Sequence, residues 1–189
     1  MGYGWESDRV RLVPLDEAKH FENCLRWIND PDVSEWILGG DEPMSRLQEK
    51  NWFDSVTSKN KEEFLFAIEL LDGTHIGNSD LHEINHKHKT AHSGSLIGPK
   101  EYRGQGYGTE AAQLRAWYAF TVLGLRILRS GYLGGNELSA RMQAKAGYEI
   151  AGIIPGEYWK RGAYHDHVMT FLTRERWLSL SGGNKSWKA

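Results

Sequence analysis

Three glycines at alternate positions, followed by a helix-forming run, constrain this chain more than any other feature. They lie in Tyr-Arg-Gly-Gln-Gly-Tyr-Gly-Thr-Glu-Ala-Ala, residues 102–112. Glycine leaves room for a ligand to approach the backbone closely. A helix that begins there directs its free N–H groups and the positive end of its dipole at the same place. The sequence therefore predicts a binding site for an anion such as a phosphate or a pyrophosphate.

The spacing of the glycines separates three phosphate-binding motifs. A dinucleotide fingerprint is spaced G-x-G-x-x-G at the start of a βαβ unit, whereas Gly104, Gly106 and Gly108 are spaced G-x-G-x-G in the middle of the chain. The Walker string G-x-x-x-x-G-K-[ST] does not occur in the sequence. The acyl-CoA pyrophosphate motif R/Q-x-x-G-x-G/A matches residues 103–108 position by position. A glycine-rich turn without a ligand remains the alternative for so short a motif.

Length, charge and cysteine content exclude several classes of protein. We expect a single domain over residues 1–180 and a flexible C-terminal tail over residues 181–189 of the 189. A net charge of -2 gives no basic surface for nucleic acid. Cys24 is the sole cysteine, which excludes an intramolecular disulfide and suits a reducing compartment. No apolar run approaches the roughly 18 residues of a membrane helix. With no signal-peptide pattern at the start of the chain, we expect a cytoplasmic protein.

Hydrophobic periodicity and turn residues predict the elements in the order β-α-α-β-β-β-α-β-α-β-β. The helices are predicted from Asp16 to Ile28, from about Ser45 to Val56, from the glycine stretch to Gly124, and from about Glu137 to Ala146. The seven predicted strands span residues 10–15, 64–71, 75–85, 90–98, 125–133, 148–154 and 164–173. Antiparallel strands followed by a β-α-β crossover predict an α/β fold with a mixed, mostly antiparallel sheet and helices packed against it.

Four segments along nearly the whole chain resemble the GNAT (general N-acetyltransferase) superfamily, and specifically its RimJ/RimL type. This type acetylates protein N-termini and includes relatives that act on small molecules. The segments are Arg11–Leu15 with W-x-N-D-P at residues 27–31, Y-R-G-x-G-Y-G-T-E-A at 102–111, N-x-x-S with K-x-G-aromatic at 136–148, and G-x-Y-x-D at 162–166. Their order is more specific than the glycine loop alone.

The resemblance implies the GNAT fold and the transfer of acetyl from acetyl-CoA to a primary amine, on a protein N-terminus or a small molecule. Backbone N–H groups of residues 104–109 would bind the pyrophosphate, and the pantetheine arm would lie along the fourth strand. Arg103 either adds positive charge for the pyrophosphate or is a solvated neighbour of the loop. Asn136 binds the CoA arm, caps a helix, or does both. The implied cofactor residues are Leu96, Ile97, Arg103, Gly104, Gln105, Gly106, Tyr107, Gly108, Thr109 and Asn136.

The catalytic residues implied by the resemblance depart from the common pattern at one position. Many relatives carry a proton-donating Tyr where this chain has Gln143, which cannot donate an acidic proton. Ser139 is the predicted proton donor or thiolate partner, with helix capping as the alternative. Glu83 is the candidate base, because residues 83–86 resemble a string in spermidine/spermine acetyltransferases. His82 precedes it on the same strand, and only one of the two can face the cleft.

Other residues allow a structural and a functional interpretation. A metal site at His82, His86, His88 and His92 is not expected, since no compact set is apparent. The tryptophans at positions 27, 36 and 52 either pack or wall an acceptor pocket, and Asp41–Glu42 either attract a cationic amine or are solvated. The chain is compatible with a homodimer. A non-catalytic acyl-CoA sensor and a nucleotide-binding module are the competing functional classes. Among acetyltransferases, a spermidine/spermine-like polyamine acetyltransferase is the alternative.

Overall fold

The computed structural model describes residues 5–38, 40–58 and 62–181, and it confirms the mixed, mostly antiparallel sheet flanked by helices. The strands are β1 Val10–Pro14, β2 Phe64–Leu70, β3 His75–Asn85, β4 Thr90–Ile97, β5 Ile127–Leu133, β6 Glu149–Lys160 and β7 Ala163–Thr173. The helices are α1 Glu17–Ile28, α2 Pro31–Ser34, α3 Arg46–Thr57, α4 Tyr107–Trp117, α5 Glu137–Ala146 and α6 Arg174–Ser181.

Strands β4 and β5, the parallel pair of this sheet, separate partway along their length. The sheet order is β1-β2-β3-β4-β5-β7-β6. β4 and β5 pair only from Thr90 to His92, opposite Ile127 to Arg129. Beyond His92, β4 continues along β3 as far as Ile97, and β5 continues along β7 as far as Leu133. The two strands therefore open a cleft in the sheet, closed at the His92 end and open towards the glycine loop.

Local sequence signals account for where most helices begin and end. The Asp16 carboxylate accepts a hydrogen bond from the Lys19 N–H and caps α1. Ser45 and Gln48 form a reciprocal capping box at the start of α3. Gly147, with φ of 99°, ends α5 in the left-handed conformation that glycine favours. By contrast, α4 begins after Gly106 with no side-chain cap.

Two hydrophobic clusters lie on opposite faces of the sheet. On the face we call the α4 face, α4 buries Ala111, Ala112, Leu114 and Ala116 in the main core. A smaller cluster lies on the other side, which we call the α1 face, because strand residues alternate between faces. Its buried members are Val13, Leu15, Phe21, Cys24, Phe53 and Ala67.

The sequence missed α2, α6 and the second half of β6. β6 continues past Gly156 to Lys160, with its register against β7 shifting between Ile154 and Tyr158. The Pro-Gly pair therefore lies in an irregular stretch of strand rather than at its end. The predicted tail lies outside the described residues, apart from Ser181 at the end of α6. Within the described ranges, no helix combines the length and apolarity needed to cross a bilayer.

Candidate active site

The glycine loop joins the end of β4 to the uncapped start of α4. Gly104 and Gly106 have φ of 73° and 93°, in the left-handed region that side chains disfavour. The first N–H groups of an α-helix lack intrahelical partners, and no side chain caps α4 at Gly106. A Cβ placed on Gly104 would have Leu138 as its nearest neighbour, at 3.9 Å, so the loop presents open backbone. This geometry suits an anion.

Arg103 donates hydrogen bonds to three backbone carbonyls around the loop. Its guanidinium donates to the carbonyl oxygens of Ile97 at 3.2 Å and Asp32 at 2.9 Å, and also to that of Gly98. The side chain therefore ties the end of β4 to α2. The side chain is half-buried, which differs from a solvated neighbour, and its role towards a cofactor stays a prediction.

Arg9 supplies a positive charge beside the loop that the sequence did not indicate. Its guanidinium donates to the Gln105 carbonyl at 3.1 Å and to the Glu110 carboxylate at 2.6 Å. It also lies over the Tyr107 ring, 4.7 Å from the ring centroid. About a hundred residues separate Arg9 from these partners, so no local sequence pattern predicts the contact.

The first turns of α5 form the opposite wall at the open end of the cleft. The Asn136 side-chain oxygen accepts from the Ser139 N–H at 3.0 Å, which confirms the capping interpretation. Gln143 is buried, and its Nε2 donates to Ser139 Oγ and to the Gly131 carbonyl, both at 3.4 Å. Its amide oxygen accepts from the Thr170 hydroxyl. The amide is thus fully engaged at the position where a Tyr was expected.

Strand β4, the loop and α5 meet at this open end. A Cβ placed on Gly108 would lie 3.7 Å from Ile97 Cγ1 and 3.6 Å from Met142 Cγ. The structure therefore gathers most of the predicted cofactor residues around one cleft. They are Leu96 and Ile97 at the end of β4, residues 104–109, and Asn136 after β5.

Glu83 lies apart from this group, beside the closed end of the cleft. It occupies a β-bulge at φ of 51°, its side chain is 74% exposed, and its carboxylate is 3.8 Å from His92 Nε2. Because the strands part beyond His92, away from Glu83, this geometry argues against direct proton transfer to Glu83. His82 instead turns to Asp80, whose carboxylate contacts His82 Nδ1 at 2.7 Å.

Imidazole groups from three strands occupy the α1 face near the point where β4 and β5 part. The Asp80 hydrogen bond raises the pKa of His82, and burial lowers the pKa of His92. The His82 and His92 rings lie 5.6 Å apart. His167 on β7 contributes electrostatically at His92 and pairs with Glu157. In the described part of the chain, no three His, Cys, Asp or Glu side chains are arranged to hold a metal ion.

A cavity of about 620 Å³ lies between the ends of α1 and α2, residues 40–43 and the β6–β7 hairpin. Asp41, at its rim, lies 2.9 Å from Lys160 Nζ and 3.7 Å from Arg161. The hydrogen bond from Lys160 lowers the pKa of Asp41, so the carboxylate is already neutralised by cations from the hairpin. This weakens its predicted attraction for an amine.

The three tryptophans separate into one packing residue and two that are partly exposed. Trp27 is 3% exposed and packs against Gly98 and His75, which confirms the packing interpretation for this residue. Trp36 is 37% exposed and lies next to Gly135, at the open end of the cleft, and Trp52 is 39% exposed on α3. Of these three tryptophans, Trp36 is the one that lies at the open end of the cleft.

The parted parallel strands and the glycine loop at an uncapped helix define an acetyl-CoA-dependent acyltransferase fold, and comparison with known proteins agrees. Residues 9–149 match the family described as "Acetyltransferase (GNAT) domain". The chain belongs to this family and is a GNAT-type N-acetyltransferase that uses acetyl-CoA as co-substrate.

The similar curated proteins include spermidine acetyltransferases. A spermidine N(1)-acetyltransferase of Escherichia coli K12 is 28% identical over 172 residues, covering 90% of this chain and 89% of the relative. An uncharacterized N-acetyltransferase of Bacillus subtilis, YoaA, is 29% identical over 174 residues, covering 90% and 97%. The crystal structure of a Vibrio cholerae spermidine N-acetyltransferase with CoA and spermine superposes with a TM-score of 0.82 at 20% identity, covering 91% and 99%. The RimJ/RimL subtype is not supported.

Proposed function

We propose that this protein transfers acetyl from acetyl-CoA to a small polyamine of the spermidine type. The proposal is carried by the carboxylates on the α1 face at the point where β4 and β5 part. Asp80, Glu83 and Glu157 each contact a histidine of that cluster, and Glu63 and Glu83 both raise the pKa of His82 electrostatically. Carboxylates concentrated at one end of a cleft attract a substrate that carries several ammonium groups. Similarity to spermidine acetyltransferases over nine tenths of the chain supports the same acceptor.

The co-substrate is proposed to enter from the open end of the cleft. The backbone N–H groups of residues 104–109 and the dipole of α4 would hold the pyrophosphate, and Leu96–Ile97 would offer backbone hydrogen bonds to the pantetheine arm. Asn136 would bond the arm from the α5 side through its amide NH₂, which its cap does not use. Arg9 is an additional candidate for the phosphate groups, because its charge stands at the loop.

Of the two predicted catalytic residues, one keeps its proposed role and the other receives a new one. Ser139 remains the proposed donor or hydrogen-bond partner for the departing thiolate, because it is half-buried on the first turn of α5 and Gln143 cannot donate an acidic proton. Glu83 is proposed to attract the cationic acceptor, since an exposed carboxylate beside the closed end of the cleft suits that role better than proton transfer.

A thiol-release assay against a panel of amines tests the proposed function. The panel contains spermidine, spermine, a diamine, an amino sugar and a peptide with a free N-terminus, and mass spectrometry identifies the acetylated product. We expect the highest kcat/KM with spermidine or spermine. The preference should weaken as salt rises, since salt screens exposed charges. A preference for the peptide would contradict the polyamine assignment. Binding of acetyl-CoA without turnover of any amine would favour a sensor.

A further inference from the structure

A histidine on β7 covers the wall of the cleft at the level of Gly131. Gly131 lies on β5 beyond the last residue paired with β4, so its backbone lines the opened part of the sheet. A Cβ placed on Gly131 would lie 2.3 Å from His167 Nε2, which means that the imidazole occupies the space a side chain would fill. From the α5 side, Gln143 donates to the carbonyl of the same glycine.

Gln143 and His167 therefore lie at the same level along the cleft, on opposite sides of Gly131. Gln143 stands on the α4 face, where the resemblance placed the proton donor to the departing thiolate. His167 stands on the α1 face, together with His92, Asp80 and the carboxylates proposed to attract the acceptor. A group that receives a proton from the incoming amine is needed on the side from which the amine arrives, opposite the leaving thiolate.

Glu157 fixes the orientation and tautomer of His167. Its carboxylate lies 2.6 Å from Nδ1, and the Tyr158 ring packs edge-on against the imidazole with centroids 5.2 Å apart. A carboxylate at Nδ1 holds the proton there and leaves Nε2 as the acceptor nitrogen. In the described part of the chain, no hydrogen-bond partner occupies Nε2. The side chain is 18% exposed, so the imidazole is largely sheltered but still in contact with solvent.

We propose that His167 is the general base of the acetyl transfer and that Glu157 is its positioning residue. This assignment rests on the proposed function. The ammonium group of the acceptor gives one proton to His167 Nε2. The nitrogen lone pair then forms the N–C bond to the thioester carbonyl carbon, and the C–S bond breaks as the electron pair leaves on sulfur. The second proton lost by the nitrogen ends on the sulfur as CoA thiol, and His167 releases its proton to solvent.

Three variants and one control test the assignment by steady-state kinetics. His167→Gln should lower kcat by about 10²-fold, the lower range of general base catalysis, without changing the Kd of acetyl-CoA. Glu157→Gln should give a smaller loss, because the imidazole remains but its orienting charge is gone. Gly131→Ala should also lower kcat, because its Cβ displaces the imidazole. His165→Gln is the matched control, since His165 lies on the same strand and its imidazole contacts the backbone carbonyl of Lys160 at 3.3 Å, away from Gly131.

The pH profile and chemical rescue separate a catalytic role from a structural one. Charged and titratable groups near the imidazole are Glu157 and Tyr158 on β6 and His92 on β4, and His92 in turn interacts electrostatically with Arg129 on β5. Protonated imidazole cannot accept a proton, so kcat/KM of the wild type should fall in acid. This decrease of kcat/KM at acidic pH, the acidic limb of the profile, should disappear in His167→Gln and persist in His165→Gln. Added imidazole should restore activity to His167→Ala.

The outcomes distinguish this proposal from the choice of acceptor. A His167→Gln enzyme with wild-type kcat and an intact acidic limb overturns the base assignment while leaving the polyamine function in place. A wild type that acetylates another amine contradicts the acceptor alone, and the same variants are then compared on that amine. A wild type that turns over no amine contradicts both proposals.

Discussion

Asn136 combines two roles that a pair of substitutions separates. Its side-chain oxygen caps α5 by accepting from the Ser139 N–H at 3.0 Å, and its amide NH₂ is free of that cap and is proposed to bond the CoA arm. Loss of an N-cap costs about 1 kcal/mol. In a chain of this size, 1 kcal/mol lowers Tm by about 2–4 °C. Asn136→Ala should show this loss.

Asn136→Ser keeps the cap and removes the amide. Serine is nearly as good an N-cap as asparagine, so Tm should stay at the wild-type value. A lost hydrogen bond of about 0.5–1.5 kcal/mol weakens the Kd of acetyl-CoA by about 2- to 12-fold. Both variants should therefore bind acetyl-CoA more weakly, and only the alanine should be less stable.

Calorimetric titration with acetyl-CoA and thermal unfolding followed by circular dichroism give the two quantities. A serine variant that binds acetyl-CoA with wild-type affinity would show that Asn136 is a cap alone. An alanine variant with wild-type Tm would show that the cap contributes nothing measurable.

Three further predictions concern catalysis, packing and acid stability. Ser139→Ala should lower kcat by about 10²-fold if its hydroxyl supplies the thiolate proton, with an unchanged Kd for acetyl-CoA; unchanged turnover contradicts the role. Gly98→Ala places a Cβ 2.1 Å from the ring of buried Trp27. It should lower the free energy of unfolding, measured with urea, by at least about 1–3 kcal/mol. Gly124→Ala is its control: at φ of 63° with no atom within 4 Å of its Cβ, it meets only backbone strain of about 1 kcal/mol. Burial lowers the pKa of His75 from 6.5 to about 4. Between pH 4 and 6.5, His75 is therefore protonated in the unfolded chain and neutral in the folded protein. Stability should therefore fall by on the order of 3 kcal/mol as pH drops from 6.5 to 4. The free energy of unfolding, measured with urea at several pH values, should depend less on pH in His75→Gln than in the wild type. An unchanged pH dependence would contradict the assignment to His75.

Local signals predicted the elements well where one residue decides a boundary. α5 runs from Glu137 to Ala146 as predicted, because Asn136 caps it and Gly147 ends it. The sequence failed where tertiary contacts override a local preference. A Pro-Gly pair favours a turn, yet β6 continues through it because β7 pairs with it on both sides of the irregular stretch. α6 was missed because its sequence has little helical periodicity, although Trp177 packs against the main core.

The site divides in the same way. The sequence alone predicted the glycine loop before α4, the parallel crossover and the GNAT family, because glycine spacing, helix capping and the order of the elements can be read from consecutive residues. Only the tertiary structure decided that Arg103 donates to three backbone carbonyls, that Arg9 reaches the loop, and that His167 covers Gly131. Each of those depends on contacts between residues far apart in the chain or on the direction of a side chain. Such contacts follow from strand order and register, and consecutive residues do not record either.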